Sequence, residues 1–178
     1  MTTPELVYYV AQSLDGYIAD QDEKVDWLDA FGNEEEDFGY NSFYENIDSL
    51  VMGSSTYEFI ERYGEWPYPG KPSWVLSGKN REAMDPLIRI SDQSPADVLR
   101  EIRDSGFKRT WLVGGGKLAT SFLEIDAITE YIITIIPVLL GSGLPLLAGL
   151  DKFHRLTVNK KTVFDSGVVQ LHLSPVTG

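Results

Sequence analysis

Apolar residues in this chain fall into short runs that end at glycine or serine, alternating with stretches whose apolar positions recur every three or four residues. Leu6-Val7-Tyr8-Tyr9-Val10-Ala11 has no polar position to offer water, so it predicts a strand buried on both faces. Leu50-Val51-Met52-Gly53, Ser73-Trp74-Val75-Leu76-Ser77, Leu87-Ile88-Arg89-Ile90 and Thr110-Trp111-Leu112-Val113 predict four more strands. Leu14 to Ala19 contains a turn at Asp15-Gly16. Glu34-Glu35-Glu36-Asp37 precedes Phe38, Tyr40, Phe43, Tyr44 and Ile47, a spacing that suits an amphipathic helix with an acidic first turn. Ser54-Ser55-Thr56 is placed to cap a helix continuing through Ile60, and the Gly- and Pro-rich stretch from Tyr63 to Pro72 predicts a loop. Ser94-Pro95-Ala96-Asp97 predicts a helix start, with a serine cap, a proline in the first position and an acid in the third. Val98, Leu99 and Ile102 supply that helix's apolar face and Gly106 its end. A short helix is expected from Lys117 through Leu123. Leu156 to Val163 and Val168 to Leu173, joined through Asp165-Ser166-Gly167, predict a closing hairpin.

Strands that alternate with helices predict an α/β fold: a mixed, mainly parallel sheet flanked by helices, with a C-terminal antiparallel hairpin. No repeat, low-complexity tract or linker interrupts the pattern, so residues 1–178 are expected to form one domain. Tyr131 to Leu150 carries no charge and is about long enough to span a bilayer. Pro137, Gly141, Gly143, Pro145 and Gly149 break it, and no basic flank orients it, which predicts a buried strand followed by a structured loop. The first residues lack the basic and apolar regions of a targeting signal, so a cytoplasmic location is expected.

Composition narrows the chemistry. The chain has no cysteine and only two histidines, His154 and His172, which excludes thiolate metal sites and a cysteine nucleophile and leaves no multi-histidine metal centre; no metal is expected. A formal net charge of -12 argues against binding a nucleic-acid backbone, so the expected partner is a small molecule. The strongest local signal is Val113-Gly114-Gly115-Gly116-Lys117-Leu118, where a strand delivers glycines to a helix start. Backbone N–H groups there can meet an anion such as a pyrophosphate, and the same glycines can also simply make a tight turn. Met52-Gly53-Ser54-Ser55-Thr56 and Leu76-Ser77-Gly78-Lys79 are two further strand ends of this kind. In open α/β sheets ligands sit outside the carboxyl ends of the strands, and three such ends make a cradle for a dinucleotide.

The motifs Ala11-Gln12-Ser13-Leu14-Asp15-Gly16-Tyr17-Ile18-Ala19, Val51-Met52-Gly53-Ser54-Ser55-Thr56-Tyr57-Glu58, Val75-Leu76-Ser77, Val113-Gly114-Gly115-Gly116-Lys117-Leu118 and Ile136-Pro137-Val138-Leu139-Leu140-Gly141-Ser142-Gly143-Leu144-Pro145-Leu146 occur in one order across nearly the whole chain. In that order they resemble the dihydrofolate reductase superfamily, in the branch of the reductase domain of the bacterial riboflavin-pathway deaminase–reductase (RibD C-terminal-like). The resemblance implies a dihydrofolate reductase-like sheet and a reductase using NADPH, with NADH as the alternative. It implies a nicotinamide near Ala11 and Ile18, and a pyrophosphate over Gly115, Gly116 and Lys117 and beside Ser55 and Thr56. Gly53, Ser54, Gly114 and Leu118 would complete the cofactor site, and the adenosine end would lie near Leu76 and Ser77. It also implies a cis peptide between Gly114 and Gly115.

Two departures accompany the resemblance. Many relatives carry a basic residue at Ser54 that contacts the cofactor's 2′-phosphate; here Lys79 or Arg81 would have to substitute. The Asp-Pro-x-Leu-x-Val-Arg loop that holds the ribose phosphate of riboflavin-pathway substrates is absent, and Tyr57-Glu58-Phe59-Ile60-Glu61-Arg62-Tyr63-Gly64 stands in its place. The implied substrate is a small pterin- or pyrimidine-like heterocycle, with 5-amino-6-(5-phosphoribosylamino)uracil among the candidates. Hydride transfer to C=N or C=O needs a proton source, and Asp37 is the first choice, with Asp15 and Asp26 behind it. Asp37 falls near the place of the acid on the helix of true dihydrofolate reductases, and Trp27 is a candidate to pack over the substrate. A second reading keeps the fold and the nucleotide but no catalysis. The apolar 131–147 segment, through which relatives of this kind pair, is the expected face of a homodimer.

Overall fold

The computed structural model describes residues 3–32 and 36–176. Its central strand, β1 (Glu5–Ser13), is buried between parallel neighbours on both sides, as its unbroken apolar run demands. β2 (Tyr17–Ala19) follows the Asp15-Gly16 turn, and a single 3-10 turn spans Asp26–Leu28. Helix α1 (Tyr40–Glu45) is short; β3 (Ser49–Gly53), helix α2 (Ser54–Tyr63), β4 (Ser73–Leu76) and β5 (Ile88–Ser91) come next. Helix α3 (Pro95–Asp104) leads to β6 (Arg109–Gly114), and helix α4 (Gly116–Glu124) to β7 (Glu130–Ile136). The chain ends with β8 (Leu144–Pro145), β9 (Leu156–Val163) and β10 (Val169–Pro175).

Eight strands form one sheet in the order β5-β4-β3-β6-β1-β7-β10-β9, and β2 pairs with β8 apart from it. β1, β3, β4, β5, β6 and β7 run parallel; β10 is antiparallel to β7 and to β9. This is the α/β arrangement expected of the sequence, including the closing hairpin. Because β6 returns to lie between β3 and β1, the strand order reverses there, and the carboxyl ends of β1, β3 and β6 open onto one crevice.

The two faces differ in cover. On one face Tyr8 and Leu112 of the sheet pack in one cluster with Val98 and Ile102 of α3 and Phe122 of α4. On the other face Val7, Leu50 and Trp111 pack under α1, while Met52 and Val75 pack under α2. Two separate helices cover this second face.

Local signals explain the helix ends. The Ser94 hydroxyl accepts the Asp97 N–H, and Gly106 follows α3 with a φ of 85°. The acidic run does not form the first turn of α1: Glu34 and Glu35 lie outside the described residues, and Asp37, which precedes the helix, accepts the Gly39 N–H and the Asn41 N–H of its first turn. Nor do Ser54, Ser55 and Thr56 cap α2. Gly53 holds the cap position without a side chain, and the Ser54 hydroxyl bonds Glu58 instead. Among the described residues no helix is long and apolar enough to cross a membrane, and Tyr131 to Ile136 is the interior strand β7.

Candidate active site

The strand period of two brings Tyr9 and Ala11 of β1 to the same face as Trp111 and Val113 of β6. α2 adds Ser55, Thr56, Phe59 and Ile60 from the side, and Ile18 of β2, Leu28 of the 3-10 turn and Leu144 of β8 complete the lining. Together they enclose a mostly apolar cavity of about 350 Å³, whose end wall is Gly114 and Gly115. A second space of about 640 Å³ shares Tyr9, Ala11 and Leu28 and continues toward Asp37, Tyr40 and Thr134.

The floor is a connected set of rings. Tyr9 stacks on Phe43 with centroids 4.2 Å apart, and Trp111 meets Tyr9 and Tyr68 edge-on at 6.0 and 5.3 Å. The Trp111 indole N–H donates to the Tyr9 carbonyl at 3.0 Å, which fixes the ring plane. Burial, with the nearby charge of Asp37, pushes the Tyr9 hydroxyl up to about 12, so it is a reluctant proton donor. Burial raises Tyr40 and Tyr68 as well.

The glycine turn is built for close approach. Gly114 has a φ of 145° and is joined to Gly115 by a cis peptide, as the resemblance implied. A Cβ on Gly115 would meet only the Thr56 hydroxyl, at 3.5 Å. A Cβ on Gly116 would instead stand 2.3 Å from the Pro145 carbonyl oxygen, so Gly116 is packed under the 144–146 segment. That segment is held from three directions: Leu146 N–H donates to the Gly16 carbonyl, Tyr8 donates its hydroxyl to the Leu146 carbonyl, and Ala148 N–H donates to the Gly116 carbonyl. Gly143 passes just as closely over Ala19, where a Cβ would stand 2.1 Å from the carbonyl oxygen.

The residues singled out in the sequence therefore separate into groups. Ala11, Ile18, Ser55, Thr56, Gly114 and Gly115 line one cavity. Gly53, Ser54, Leu76 and Ser77 lie at the carboxyl ends of β3 and β4, where the Ser77 hydroxyl donates to Ser54 at 3.3 Å. Gly116, Lys117 and Leu118 open α4, with Lys117 exposed and Leu118 against Gly53. Lys79 and Arg81 do reach this region, but Glu58 accepts from both, at 2.7 and 2.6 Å, and Arg81 also pairs with Glu61 at 2.7 Å. Trp27 lines neither cavity; its neighbour Leu28 lines both.

Asp37 does border the second space, but its carboxyl is exposed and held below its ordinary value by the Asn41 and Gly39 N–H groups. Those N–H groups favour the ionised form, in which the carboxylate is an acceptor. Asp15 accepts from Ser13, Leu140 and Gly141 and ties the first turn to the 138–143 loop. Tyr9, Leu28, Phe59, Tyr68 and Trp111 were not singled out as site residues. For Tyr9 and Trp111 a signal was present, since each lies an even number of positions from Ala11 or Val113 on its strand. Phe59 and Tyr68 had none, being brought in by helix and loop packing.

Comparison with known proteins agrees with this fold. The model of the RibD C-terminal domain family matches residues 4–170. The uncharacterized protein YwjB of Bacillus subtilis strain 168 is 36% identical over 167 residues, covering 93% of this chain and 95% of its own. The structure of a Shewanella sp. PV-4 protein named for riboflavin biosynthesis superposes with a TM-score of 0.88 at 31% identity, over 97% of this chain and 99% of that one. Dihydrofolate reductase from Enterococcus faecalis, complexed with NADP(H), superposes with a TM-score of 0.67 at 18% identity over 97% of each chain, a likeness of fold. The fold is thus reductase-like.

Proposed function

This chain belongs to the RibD C-terminal domain family, and on that premise we propose that it is an NAD(P)H-dependent reductase of a small heterocyclic substrate. The observation that carries the reading is the continuity of the site. One apolar cavity lined by Ala11, Ile18 and the rings of Tyr9 and Trp111 runs directly into the open backbone of Gly114 and Gly115 and the first turn of α2. A dinucleotide needs that pairing: a flat apolar slot for one ring, and uncrowded N–H groups for its diphosphate. The donor set fits the group. Ser55, Thr56 and the 115–117 backbone would hold the pyrophosphate, Ala11 and Ile18 would flank the nicotinamide, and Ser77 and Leu76 would face the adenosine end.

NAD(P)H supplies a hydride when bound. The chain's own part is to position and exclude. Trp111 and Tyr9 set a rigid floor, the pinned 144–146 segment closes one side, and the apolar walls keep water from the reacting carbon. Calorimetric titration with NADPH and NADH, followed by a heterocycle screen read by cofactor absorbance, tests the proposal. Binding without turnover of any heterocycle would leave the non-catalytic nucleotide-binding reading, and no binding of either cofactor would remove both.

A further inference from the structure

The charge of the cleft restricts what can enter it. The charged side chains that line the two spaces are Glu23, Asp29, Glu36 and Asp37, and no Lys or Arg lines either among the described residues. The residues outside the description, Met1, Thr2, Asn33, Glu34, Glu35, Thr177 and Gly178, include no basic side chain either. Arg62 reaches the rim only by pairing with Glu23 at 2.9 Å, with its guanidinium over Phe59 on the exposed side. Away from the Gly114–Gly115 turn and the start of α2, which the cofactor's diphosphate would occupy, a phosphorylated substrate would face the carboxylates and rings of the second space with no lysine or arginine lining it, which is costly in a partly dry site. A flat cation meets the opposite situation, since ring faces and carboxylates both attract it.

Resting on the reductase reading above, we propose that the substrate is a flat, unphosphorylated ring system whose reducible carbon–nitrogen bond already carries a positive charge. An iminium of this kind accepts one hydride at carbon, which is one proton carried with two electrons. The π pair of the C=N bond moves onto nitrogen, and the product leaves as a neutral amine. The balance requires no proton from the protein. That agrees with the groups on hand, because Asp37 is ionised and the Tyr9 hydroxyl holds its proton tightly. The carboxylates then act by attracting the cation, and loss of its charge on reduction favours product release.

Three probes with fused bicyclic rings of the same shape and different charge test this by isothermal calorimetry on the full chain: 1-methylquinolinium, 1-methylnaphthalene and 1-naphthyl phosphate. The cation is expected to bind about 2- to 30-fold tighter than the neutral ring, with the phosphate weakest. The preference should narrow between about 0.05 and 0.5 M salt. Asp29→Asn should weaken the cation alone, and this exposed position keeps the test independent of the cap that Asp37 provides to α1. Naphthyl phosphate binding as tightly as the cation, or a tie between cation and neutral ring, overturns the proposal; loss of a tight phosphate complex in Arg62→Ala would then identify the residue that receives it. A parallel NADPH titration separates the two readings. Cofactor binding with the phosphate ranked first defeats only the substrate class, whereas no cofactor binding with the cation ranked first defeats only the reductase reading.

Discussion

Two adjacent glycines should respond to the same substitution in opposite ways. At Gly116 a methyl group would be placed 2.3 Å from the Pro145 oxygen and 3.1 Å from the Leu146 oxygen. Both obstacles are backbone, and Leu146 is held by hydrogen bonds of 3.0 and 2.9 Å to Gly16 and Tyr8, so the segment has little room to retreat. Overpacking of this kind costs about 1–3 kcal/mol. For a domain of this size each kcal/mol lowers Tm by about 2–4 °C, so Gly116→Ala should melt about 2–12 °C lower. At Gly115 the methyl group would meet only Thr56 Oγ1 at 3.5 Å, an ordinary contact, and the φ of −91° suits any L residue. Gly115→Ala should keep its Tm within about 2–4 °C, equivalent to less than about 1 kcal/mol. It should nonetheless bind cofactor at least about tenfold more weakly, because the methyl group occupies the space where phosphate oxygens approach the backbone. Gly115→Val, larger still, should abolish binding. Differential scanning fluorimetry and calorimetric titration of the same preparations read the two effects separately. A folded Gly115→Ala with unchanged NADPH and NADH affinity would refute the phosphate cradle, and an unchanged Tm in Gly116→Ala would refute the close passage of residues 144–146.

Cofactor choice should depend on Glu58, which engages both Lys79 and Arg81: Glu58→Gln should raise affinity for NADPH and leave NADH nearly unchanged, as should Ser54→Arg, and equal responses to the two cofactors in both variants would exclude a 2′-phosphate site here. The hydrogen bonds from Lys79, Ser54 and Arg81 lower the Glu58 carboxyl from 4.5 to about 2. Its contribution to stability is therefore fully present above pH of about 4.5 and is lost as pH falls toward 2, so Glu58→Gln should flatten the acid limb of a Tm-against-pH curve over that window. Assembly should also be testable: a two-fold homodimer is expected by light scattering at micromolar concentration. The Tyr131–Ile136 half of the expected 131–147 face is inside the sheet between β1 and β10, which leaves Leu139 and Leu144 as its exposed large apolar residues; Leu150 and Phe153, the last 86% exposed, lie beyond the expected segment and would extend the surface a partner covers. Phe153→Asp and Leu139→Asp together should yield monomers, and a wild-type monomer would contradict the expectation.

The sequence by itself determined the elements whose cause is local. Short apolar, β-branched and aromatic runs that end at glycine or serine suit interior strands, and so β1, β3, β4 and β6 were legible; Ser94, Pro95 and Gly106 mark the two ends of α3 because caps act within one helical turn. The glycine turn and five ordered motifs were enough for the family and for half of the cleft wall. What tertiary structure alone decided depends on residues far apart in the chain. Strand order follows from β6 inserting between β1 and β3, which no local pattern encodes, and this insertion makes Trp111 and Tyr9 one floor. Ser54 looked like a helix cap and Asp37 like a first-turn acid with a proton to give. In the fold Ser54 sits past the cap and bonds Glu58, while two backbone N–H groups keep Asp37 ionised. Lys79 and Arg81 were visible as cations near a strand end, but only the packing of α2 beside β4 places Glu58 between them. A side chain's available geometry is set by its neighbours in sequence, whereas its charge state and partners are set by whichever distant segments the sheet brings against it.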